Sequence, residues 1–508
     1  MRWFLGILIL AASLTISRAR EFSVMEYNVE NLFDADGVAA YEDYQPEKYT
    51  PAHLATKAAN IASLFSRIEG GRGPDVAILN EIELDQTPET TVNDLPAWLE
   101  SVRGRSLTEL LAQSPLPPEL AGLPAEAWLL KALDDAGIHG YHVATTDERP
   151  GTYESGHPLA IRNVILSRFP IKSVRTHKTP SARAILEVEM EVDGHPLRIF
   201  ANHWKSGASD PENEKIRIGN ARTLRARLDE IFQEDPSADV IIAGDLNSHY
   251  NQNRRYRELK TTAINDILGS QGNELALRSP DANLYNLWFE LPSDQRGSDI
   301  YQHEWGTLVH LILSRGLYDQ NGVQYVDGSF QVVKIPGLNA DVFGRPVRWS
   351  RGQSPRGFSD HFPLLARFRT TEDGARDRWM PLSHAVRAEG DSGTPRPVNT
   401  SLVDLFDASL SPENLPGGGS MRDGSFNGRV FRVDAPARID QRGIIRVTVQ
   451  GQDYEVFTYK KNLRPKIREH VLETGRLAFH GELGTYRGRW QFVLHGPEWL
   501  GLTRIKTP

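Results

Sequence analysis

A carboxylate and an amide stand two residues apart at the end of an apolar run in the middle of the chain. The run covers residues 240–243, and Gly244 separates it from Asp245 and Asn247. On a strand, this spacing places both polar side chains on one side. A carboxylate can take a proton from water or hold a cation, and an amide beside it can orient that water or donate to an anionic oxygen. The pattern predicts a catalytic strand end, with a turn or a helix cap as the alternative interpretation.

Other apolar segments also end beside residues that can bind phosphate or metal. Three predicted strands end in Asn28, in Glu81 and in the pair Asn202–His203, and the pair Asp360–His361 stands directly before the last predicted strand. A single histidine in such a place is more often structural than catalytic. Strand ends can converge on one edge of an α/β sandwich, so the repeated pattern indicates one shared site.

The sequence strings around these residues resemble the motifs of the endonuclease/exonuclease/phosphatase superfamily over about residues 21–369. The resemblance implies a four-layer α/β sandwich, a divalent cation that is usually Mg²⁺, and in-line hydrolysis of a phosphate ester. The matching strings are MEYNVENLF at 25–33, ILNE at 78–81, NHWKS at 202–206, GDLNS at 244–248 and SDH at 359–361.

The resemblance implies a role for three residues at the metal and at the attacking water. Asn28 and Glu81 are implied to hold the cation, with Glu81 as the main ligand, and Asp245 is implied to orient or deprotonate the water. A phosphodiester is anionic and resists attack by hydroxide. A cation, cationic donors and a carboxylate that prepares the water are therefore the groups that this reaction needs.

The same resemblance assigns further residues to the phosphate. Asn247, His203 and His361 are implied to hold it and to stabilise its developing charge. Asp360 is implied to pair with a histidine or to support the metal. A looser correspondence assigns three more residues to substrate binding: Asn202, Arg183 and Tyr153.

One departure from the superfamily pattern concerns the predicted strand 307–314. The superfamily commonly has an aspartate there that braces the catalytic histidine, and this chain has Val309 in its place. An unbraced His361 could adopt the wrong tautomer or tilt, which would reduce activity. The alternative is that another acid, Asp299 or Glu304, takes over. Without such a substitute, Val309→Asp is expected to raise turnover.

Composition and periodicity divide the chain into a catalytic domain, 20–370, and a smaller C-terminal domain, 421–508. Within the first, residues 84–135 are rich in Pro, Glu and Leu and predict a helical insertion without an assigned role. Residues 371–420 turn to Pro, Gly, Ser and charge, which is typical of a linker. The expected fold class is an α/β four-layer sandwich followed by a small β-barrel.

The C-terminal domain predicts a nucleic-acid-binding barrel. It contains five predicted strands with a short helix, 464–472, before the fourth, which favours a barrel of the OB-fold type. Its 16 Lys+Arg and 9 Asp+Glu give a net charge of +7, whereas the whole chain carries −8. Bases could stack on its aromatic rings while phosphates pair with its cations; the alternatives are rings that only fill the core and a chance clustering of charge. The rings are Phe431, Tyr454, Phe457, Tyr459, Tyr486 and Trp490.

The 508-residue chain contains no cysteine, which excludes disulfides, thiolate metal sites and cysteine nucleophiles. Any metal must bind to oxygen and imidazole ligands, so Mg²⁺, Mn²⁺ or Ca²⁺ is favoured over structural zinc. Residues 1–19 combine a basic start, a short apolar core and small residues, as in a cleaved secretory signal. The protein is expected to be secreted or periplasmic, without a stable membrane anchor after cleavage.

Three functions are compatible with these patterns. The favoured one is an exported, metal-dependent phosphodiesterase, an endonuclease with DNA or RNA as substrate. The second is a phosphatase or phospholipase acting on an inositol phosphate or sphingomyelin, and the third is a catalytically weak binding protein. The sequence leaves open DNA against RNA, endo against exo mode, the preferred metal, protein partners and the oligomeric state.

Overall fold

The computed structural model describes most of the chain after the predicted signal peptide. The described residues are 20–88, 92, 94–113, 116–279, 284–302, 304–352, 355–387, 402–407, 409–415, 428–486 and 489–501. The predicted signal peptide, 1–19, and the glycine-rich end of the predicted linker, 416–420, lie outside them. Within those ranges, no helix is long and apolar enough to cross a membrane.

Two seven-stranded sheets form the centre of the first domain. The first sheet contains β1 (Glu21–Leu32), β2 (Val76–Glu83), β3 (His142–Thr145), β4 (Ile161–Ser167), β14 (Asp319–Tyr325), β15 (Gln331–Val332) and β16 (Leu364–Trp379), in the order β14-β16-β1-β2-β4-β3, with β15 also on β16. The second contains β5 (Ile171–His177), β6 (Ile185–Val192), β7 (His195–His203), β8 (Val240–Asp245), β9 (Ser270–Gln271), β10 (Leu284–Asn286) and β13 (Val309–Leu313), in the order β5-β6-β7-β8-β13-β10-β9. A separate hairpin pairs β11 (Asp299–Tyr301) with β12 (Glu304–Gly306).

Helices cover the outer faces of both sheets. The helices of this domain are α1 (Pro51–Phe65), α2 (Leu95–Ser101), α3 (Leu107–Leu111), α4 (Pro118–Ala121), α5 (Ala125–Asp135), α6 (Pro211–Glu234) and α7 (Gln252–Arg255). Alternation along β1 sends Val24 into the core between the sheets and Met25 into the core beneath α1, as the period of two requires. The outer face of the second sheet packs on α6 through residues such as Leu224 and Ile242. The predicted four-layer α/β sandwich is confirmed.

The predicted helical insertion, 84–135, is part of this outer layer. Its helices share one buried core with α1 and with the outer face of the first sheet, through residues that include Leu110, Trp128 and Leu129. The insertion therefore has a packing role, because the apolar outward face of the first sheet is wider than α1 alone can bury.

The C-terminal domain is a closed five-stranded barrel. Its strands are β17 (Val430–Ile439), β18 (Ile445–Val449), β19 (Gln452–Phe457), β20 (Arg476–Tyr486) and β21 (Arg489–Val493), closed in the order β17-β18-β19-β21-β20. The helix α9 (Leu463–Thr474) stands between β19 and β20, where the sequence predicted it. The predicted five-stranded barrel is confirmed.

The boundaries of the predicted linker, 371–420, differ from the structure at both ends. β16 continues to Trp379, because its second half stays paired with β14 across register shifts. At the other end, α8 (Leu402–Asp407) packs on the barrel, and Phe406 stacks on His480 with the ring centres 4.1 Å apart. Partly buried side chains at both ends of the predicted linker, Trp379 and Phe406, thus pack against a domain.

A buried ion pair fastens α6 to the second sheet. Glu187 of β6 accepts two hydrogen bonds from Arg227 of α6, both of 3.0 Å, and lies 2.7 Å from Nε2 of His177 on β5. Burial would raise the pKa of Glu187, but the hydrogen bonds from His177 and Arg227 outweigh it and lower the pKa to about 2. The carboxylate is therefore stabilised by the folded structure.

We expect Glu187→Gln to lower the free energy of unfolding by about 2 kcal/mol at pH 7. The folded pKa lies below the unfolded value of about 4.3, so this stabilisation is present above that pH and is lost as the pH falls towards the folded pKa. Urea unfolding at pH 7 and pH 3.5 measures it, with Glu212→Gln on the exposed side of α6 as the control. A stability difference that does not shrink at pH 3.5 would contradict the assignment.

Candidate active site

The predicted site residues meet at one edge of the sandwich. β1 runs parallel to β2, and β7 runs parallel to β8, so the carboxyl ends of each pair point the same way. These ends bring together Asn28, Glu81, His203 and Asp245, and the loop before β16 adds His361 to the same edge.

Asn28 connects a carboxylate on each sheet. Its Nδ2 donates to Oε1 of Glu81 at 3.0 Å and to Oδ2 of Asp245 at 3.1 Å. Its Oδ1 accepts the backbone N–H of Glu30 at 3.0 Å. With this orientation the amide nitrogen faces the site and the amide oxygen is occupied, which does not favour the predicted role of Asn28 as a metal ligand.

Glu81, His203 and Asp245 form the group that fits a cation. Each offers one ligand atom, and the three atoms lie within 4.8 Å of one another. Nε2 of His203 is 3.8 Å from Glu81 and 3.7 Å from Asp245. The two carboxylates suit a hard divalent ion such as Mg²⁺ or Mn²⁺, and the imidazole is a ligand that also suits transition metals. This candidate group contains Glu81 but not Asn28 of the predicted pair of ligands.

Burial controls the protonation of this group. Desolvation, aided by the nearby Asp360 carboxylate, raises the pKa of Glu81 to about 7, and desolvation also raises the pKa of Asp245. Desolvation and the positive charge of Arg183 lower the pKa of His203 well below its usual value. The histidine is consequently neutral, which is the state that can ligate a metal or accept a proton.

His361 is positively charged, whereas His203 is neutral. Its Nε2 is 3.7 Å from Asp360 and 3.9 Å from Asp245, and its Nδ1 is 4.0 Å from Asp299. Burial would lower its pKa, but these carboxylates, with Asp360 first, raise the pKa to about 9. The site thus contains an imidazolium at neutral pH, surrounded by three carboxylates.

The carboxylate on the Nδ1 side of His361 comes from Asp299 in the β11–β12 hairpin, at 4.0 Å and without a hydrogen bond to Nδ1. Asp299 is buried, and its Oδ1 accepts the Ser298 hydroxyl at 2.9 Å and the Leu308 N–H at 3.2 Å. Glu304, the other predicted substitute, is exposed and pairs with Arg255 at 3.1 Å. Val309 pairs with Asp245 in the sheet and is buried in the core between the sheets.

Asp360 and Asn247 lie at the same edge. Asp360 is about one-third exposed and pairs with Arg348 at 3.1 Å, which also reaches Glu30 at 3.0 Å. Asn247 has a left-handed backbone with φ of 48°, and its N–H donates to Asp245 at 2.9 Å. Its side-chain nitrogen donates to the carbonyl of Trp204 at 3.2 Å, so its amide helps to fix the loop that follows His203.

The three predicted substrate residues have different environments. Asn202 is fully buried; its Nδ2 donates to two backbone carbonyls and its Oδ1 accepts the indole N–H of Trp204. This geometry favours a structural role for Asn202. Arg183 is partly exposed, and its charge acts on both Glu81 and His203. Tyr153 is partly exposed, and the charge of Arg183 acts on its hydroxyl.

Sequence reasoning missed the residues that hold these groups in place. Asn80 and Asn163 form a buried amide pair with Nδ2 and Oδ1 2.7 Å apart. Gly244 has φ of +119°, and a Cβ there would lie 2.0 Å from the carbonyl oxygen of Asn202. Ser359 donates to the carbonyl of Asn28 at 2.6 Å. Polar residues on the inward positions of otherwise apolar strands were the available signal for Asn80 and Asn163.

Residues 162–370 match the model of the Endonuclease/Exonuclease/phosphatase family. The match confirms the resemblance inferred from the motifs. Members of this family are phosphoric-ester hydrolases, typically dependent on a divalent metal. No curated protein matches the chain.

Similar solved structures include three from different organisms. Truncated Caenorhabditis elegans TDP2 has 16% sequence identity and a TM-score of 0.37, covering 68% of this chain and 97% of that chain. The human Nocturnin catalytic domain with bound sulfate anion has 14% identity and a TM-score of 0.37, covering 69% and 94%. An endonuclease/exonuclease/phosphatase family protein from Leptotrichia buccalis C-1013-b has 14% identity and a TM-score of 0.38, covering 68% and 98%.

We expect Asp299→Asn to lower kcat by about tenfold to a hundredfold, because the amide no longer stabilises the His361 imidazolium. The pKa of His361, followed by NMR, should fall in the same variant, which a purely structural role would not require. Steady-state kinetics on a phosphodiester measures the first effect. An unchanged pKa of His361 and an unchanged kcat would contradict the bracing role of Asp299.

Val309→Asp is the matched comparison. Since Asp299 already stands beside His361, a carboxyl at position 309 should not raise turnover, contrary to the expectation for an unbraced histidine. It should instead destabilise the fold by about 2 kcal/mol or more, because it enters an apolar core. Thermal unfolding and kcat of this variant test both statements, and a gain in kcat would restore the original expectation.

Proposed function

We propose that this protein is a metal-dependent phosphodiesterase that hydrolyses nucleic acid. The observation that carries the proposal is the arrangement around Asp245, a carboxylate held between the amide of Asn28 and the imidazolium of His361. It combines a base for water with a cationic donor for phosphate in one buried place. This arrangement supports hydrolysis over a function in binding alone.

Each of these residues has its own role in the in-line attack of water on a phosphodiester. Asp245 orients the attacking water and takes its proton. His361 donates to a phosphate oxygen and offsets the charge that develops during attack, and Arg183 adds a second positive charge at the rim. Asn28 keeps the two carboxylates at their spacing, so the site requires little reorganisation during the reaction.

Glu81 and Asp245, with His203, would hold the divalent cation. Bound there, Mg²⁺, or Mn²⁺ or Ca²⁺ in its place, would neutralise the phosphate and favour ionisation of the water. The raised pKa of Glu81 supports this assignment, since a buried acid of this kind is stabilised by a bound positive charge.

The barrel has features of a nucleic-acid-binding surface. Its strand order, with a helix between the third and fourth strands, is consistent with the OB-fold. Of the six predicted rings, Phe431, Tyr454 and Trp490 are buried in the core, whereas Tyr459 and Tyr486 are 58% and 47% exposed. The core interpretation therefore accounts for half of the six rings, and we assign base stacking to the exposed Tyr459.

Tyr459 stands beside basic residues. Lys460 and Lys461 follow it and are exposed. Phe457 packs edge-on against Tyr459 with centres 4.9 Å apart, and Arg464 lies 4.7 Å over the Phe457 ring. Rings next to cations at a barrel surface suit single-stranded nucleic acid.

Export with removal of residues 1–19 is part of the proposal and depends on the sequence pattern alone.

We expect Glu81→Gln to remove most of the activity and most of its dependence on divalent cation, because a neutral amide is a poor ligand for a hard ion. Cleavage of plasmid DNA and of RNA across a Mg²⁺ titration, with and without chelator, measures this. Glu304→Gln, an exposed glutamate beside the same edge, is the control and should behave as wild type. Hydrolysis of inositol phosphate or sphingomyelin without cleavage of nucleic acid would replace the nuclease by the phosphatase or phospholipase alternative.

Truncation after Arg387 tests the barrel. Turnover on a short oligonucleotide should persist, whereas affinity for long single-stranded nucleic acid should fall and the slope of log affinity against log salt should flatten by about 1 or more. Removal of the barrel uncovers Val342 and Phe343, which pack against its core. A full-length variant that combines Tyr459→Ala, Lys460→Ala and Lys461→Ala therefore accompanies the truncation. Wild-type affinity and salt slope in both proteins would exclude nucleic-acid binding by the barrel.

A further inference from the structure

A second group of carboxylates lies outside the candidate active site. Glu274, Glu290 and Asp327 each offer one carboxylate oxygen, and the three oxygens lie within 4.8 Å of one another. The residues come from separate parts of the chain: two short 3-10 turns, Glu274–Arg278 and Leu287–Glu290, and the segment after β14. None of the residues proposed for phosphodiester hydrolysis belongs to this group.

Each carboxylate in this acidic group has one oxygen with a known donor. Glu290 Oε2 accepts the Tyr325 hydroxyl at 2.6 Å, Glu274 Oε2 accepts the Val386 N–H at 3.0 Å, and Asp327 Oδ2 accepts the Ser383 N–H at 2.7 Å. The other oxygens of Glu274 and Glu290 are buried and have no donor in hydrogen-bond geometry among the described residues. The Tyr318 hydroxyl lies near Glu274 and acts against the rise in the pKa of that carboxyl.

The orphaned oxygens are the independent sign of a ligand. Glu274 is 2% exposed, and a buried carboxylate oxygen without a donor is costly. Among the ion pairs of the described residues, none reaches a member of the acidic group. Burial raises the pKa of Glu274 to about 6 and that of Glu290 to about 8, and the charge of Asp327 adds to both shifts. Among the described residues, the acidic group therefore has no partner of opposite charge, although its oxygens are close enough together to share one cation.

The chemistry of the ligand atoms indicates the class of ligand. All three are carboxylate oxygens close enough to one another to share one cation, and Ca²⁺ takes oxygen ligands at about 2.4 Å. The acidic group contains no histidine and the chain no cysteine, so softer transition metals are disfavoured. Mg²⁺ demands a near-ideal octahedron and retains water, which suits a buried group drawn from three segments less well than Ca²⁺ does.

We propose that Glu274, Glu290 and Asp327 form a second cation site, separate from the catalytic one, that binds Ca²⁺. The site has a structural consequence, because two of its carboxylates also accept backbone N–H groups of residues 383 and 386. A bound Ca²⁺ would order those carboxylates and thereby fasten the segment that leaves the first domain towards the barrel.

Three tyrosines provide a direct test with Tb³⁺, which substitutes for Ca²⁺ and emits when an excited tyrosine lies within a few ångströms. Tyr325 donates to Glu290, and the charges of Glu274 and Glu290 act on the hydroxyls of Tyr285 and Tyr318. We expect tyrosine-excited Tb³⁺ emission from the full-length protein, displaced by Ca²⁺ at a concentration where Mg²⁺ does not displace it.

The variants separate this site from the catalytic one. The double variant Glu274→Gln, Glu290→Gln should lose about tenfold or more of the Ca²⁺-displaceable emission, whereas Glu81→Gln and the surface control Glu212→Gln should retain it. Full emission in the double variant, or its loss in Glu81→Gln alone, would overturn the proposal. Failure of the nuclease assays would leave this result unaffected, so the two proposals can fail independently.

Thermal unfolding supplies a second readout. The two glutamine side chains retain acceptors for Tyr325 and for the Val386 N–H and remove buried charge, so the double variant should be at least as stable as wild type in chelator. Ca²⁺ should raise the Tm of Glu81→Gln and leave the Tm of the double variant unchanged. An equal rise in Tm in both variants would contradict the proposed Ca²⁺ site. Should the double variant fail to fold, Asp327→Asn at a partly exposed position provides the same comparison.

Discussion

The candidate active site depends on a buried amide network that joins the two sheets. Asn80 donates to the side chain of Asn163 at 2.7 Å and to the carbonyl of Asn202 at 3.0 Å, and it accepts the N–H of Asp245 at 2.8 Å. One side chain of the first sheet thus connects both parallel strands of the second. Because a buried amide is costly unless it is satisfied, this network specifies one relative placement of the sheets. Glu81, the next residue, is thereby held facing Asp245.

The network places like charges together, and the surrounding groups must balance them. Glu81 is partly buried and Asp245 is buried, and the Asn28 amide and the His361 imidazolium act on both carboxylates against the rise in their pKa, with Arg183 also acting on Glu81. The negative charge that remains favours a bound cation. The burial of these carboxylates, which costs free energy, therefore also makes the site suited to binding a cation. Glu81 has a left-handed backbone, with φ of 64°, as does Asn247, and such strain at a site is tolerated where the surrounding structure imposes it.

Local sequence patterns determined the secondary structure and the general position of the chemistry. Alternation with a period of two and runs of apolar residues are properties of a few consecutive residues, so the strands that carry Asn28, Glu81 and Asp245 could be predicted without the fold. The same holds for the barrel, whose strands and single helix follow one another in order. Two of the predicted strand ends were wrong, because β1 continues past Asn28 to Leu32 and β2 continues past Glu81 to Glu83 across a register shift. The motifs around these strands also predicted the resemblance to the family whose model residues 162–370 match, because each motif lies within a few residues of one strand.

The direction and the partners of individual side chains were decided only by the tertiary structure. Asn202 ends a strand as predicted, yet its amide is used inside the protein, and the acid beside His361 is Asp299 from a hairpin instead of a residue at position 309. The role of residues 84–135 became clear only once the width of the first sheet was known. Contacts of this kind join residues far apart in the chain, and their energies depend on burial and on opposing charges that no local window contains. The sequence therefore determined which residues reach the edge of the sandwich, and the packing of the two sheets decided what each of them does there.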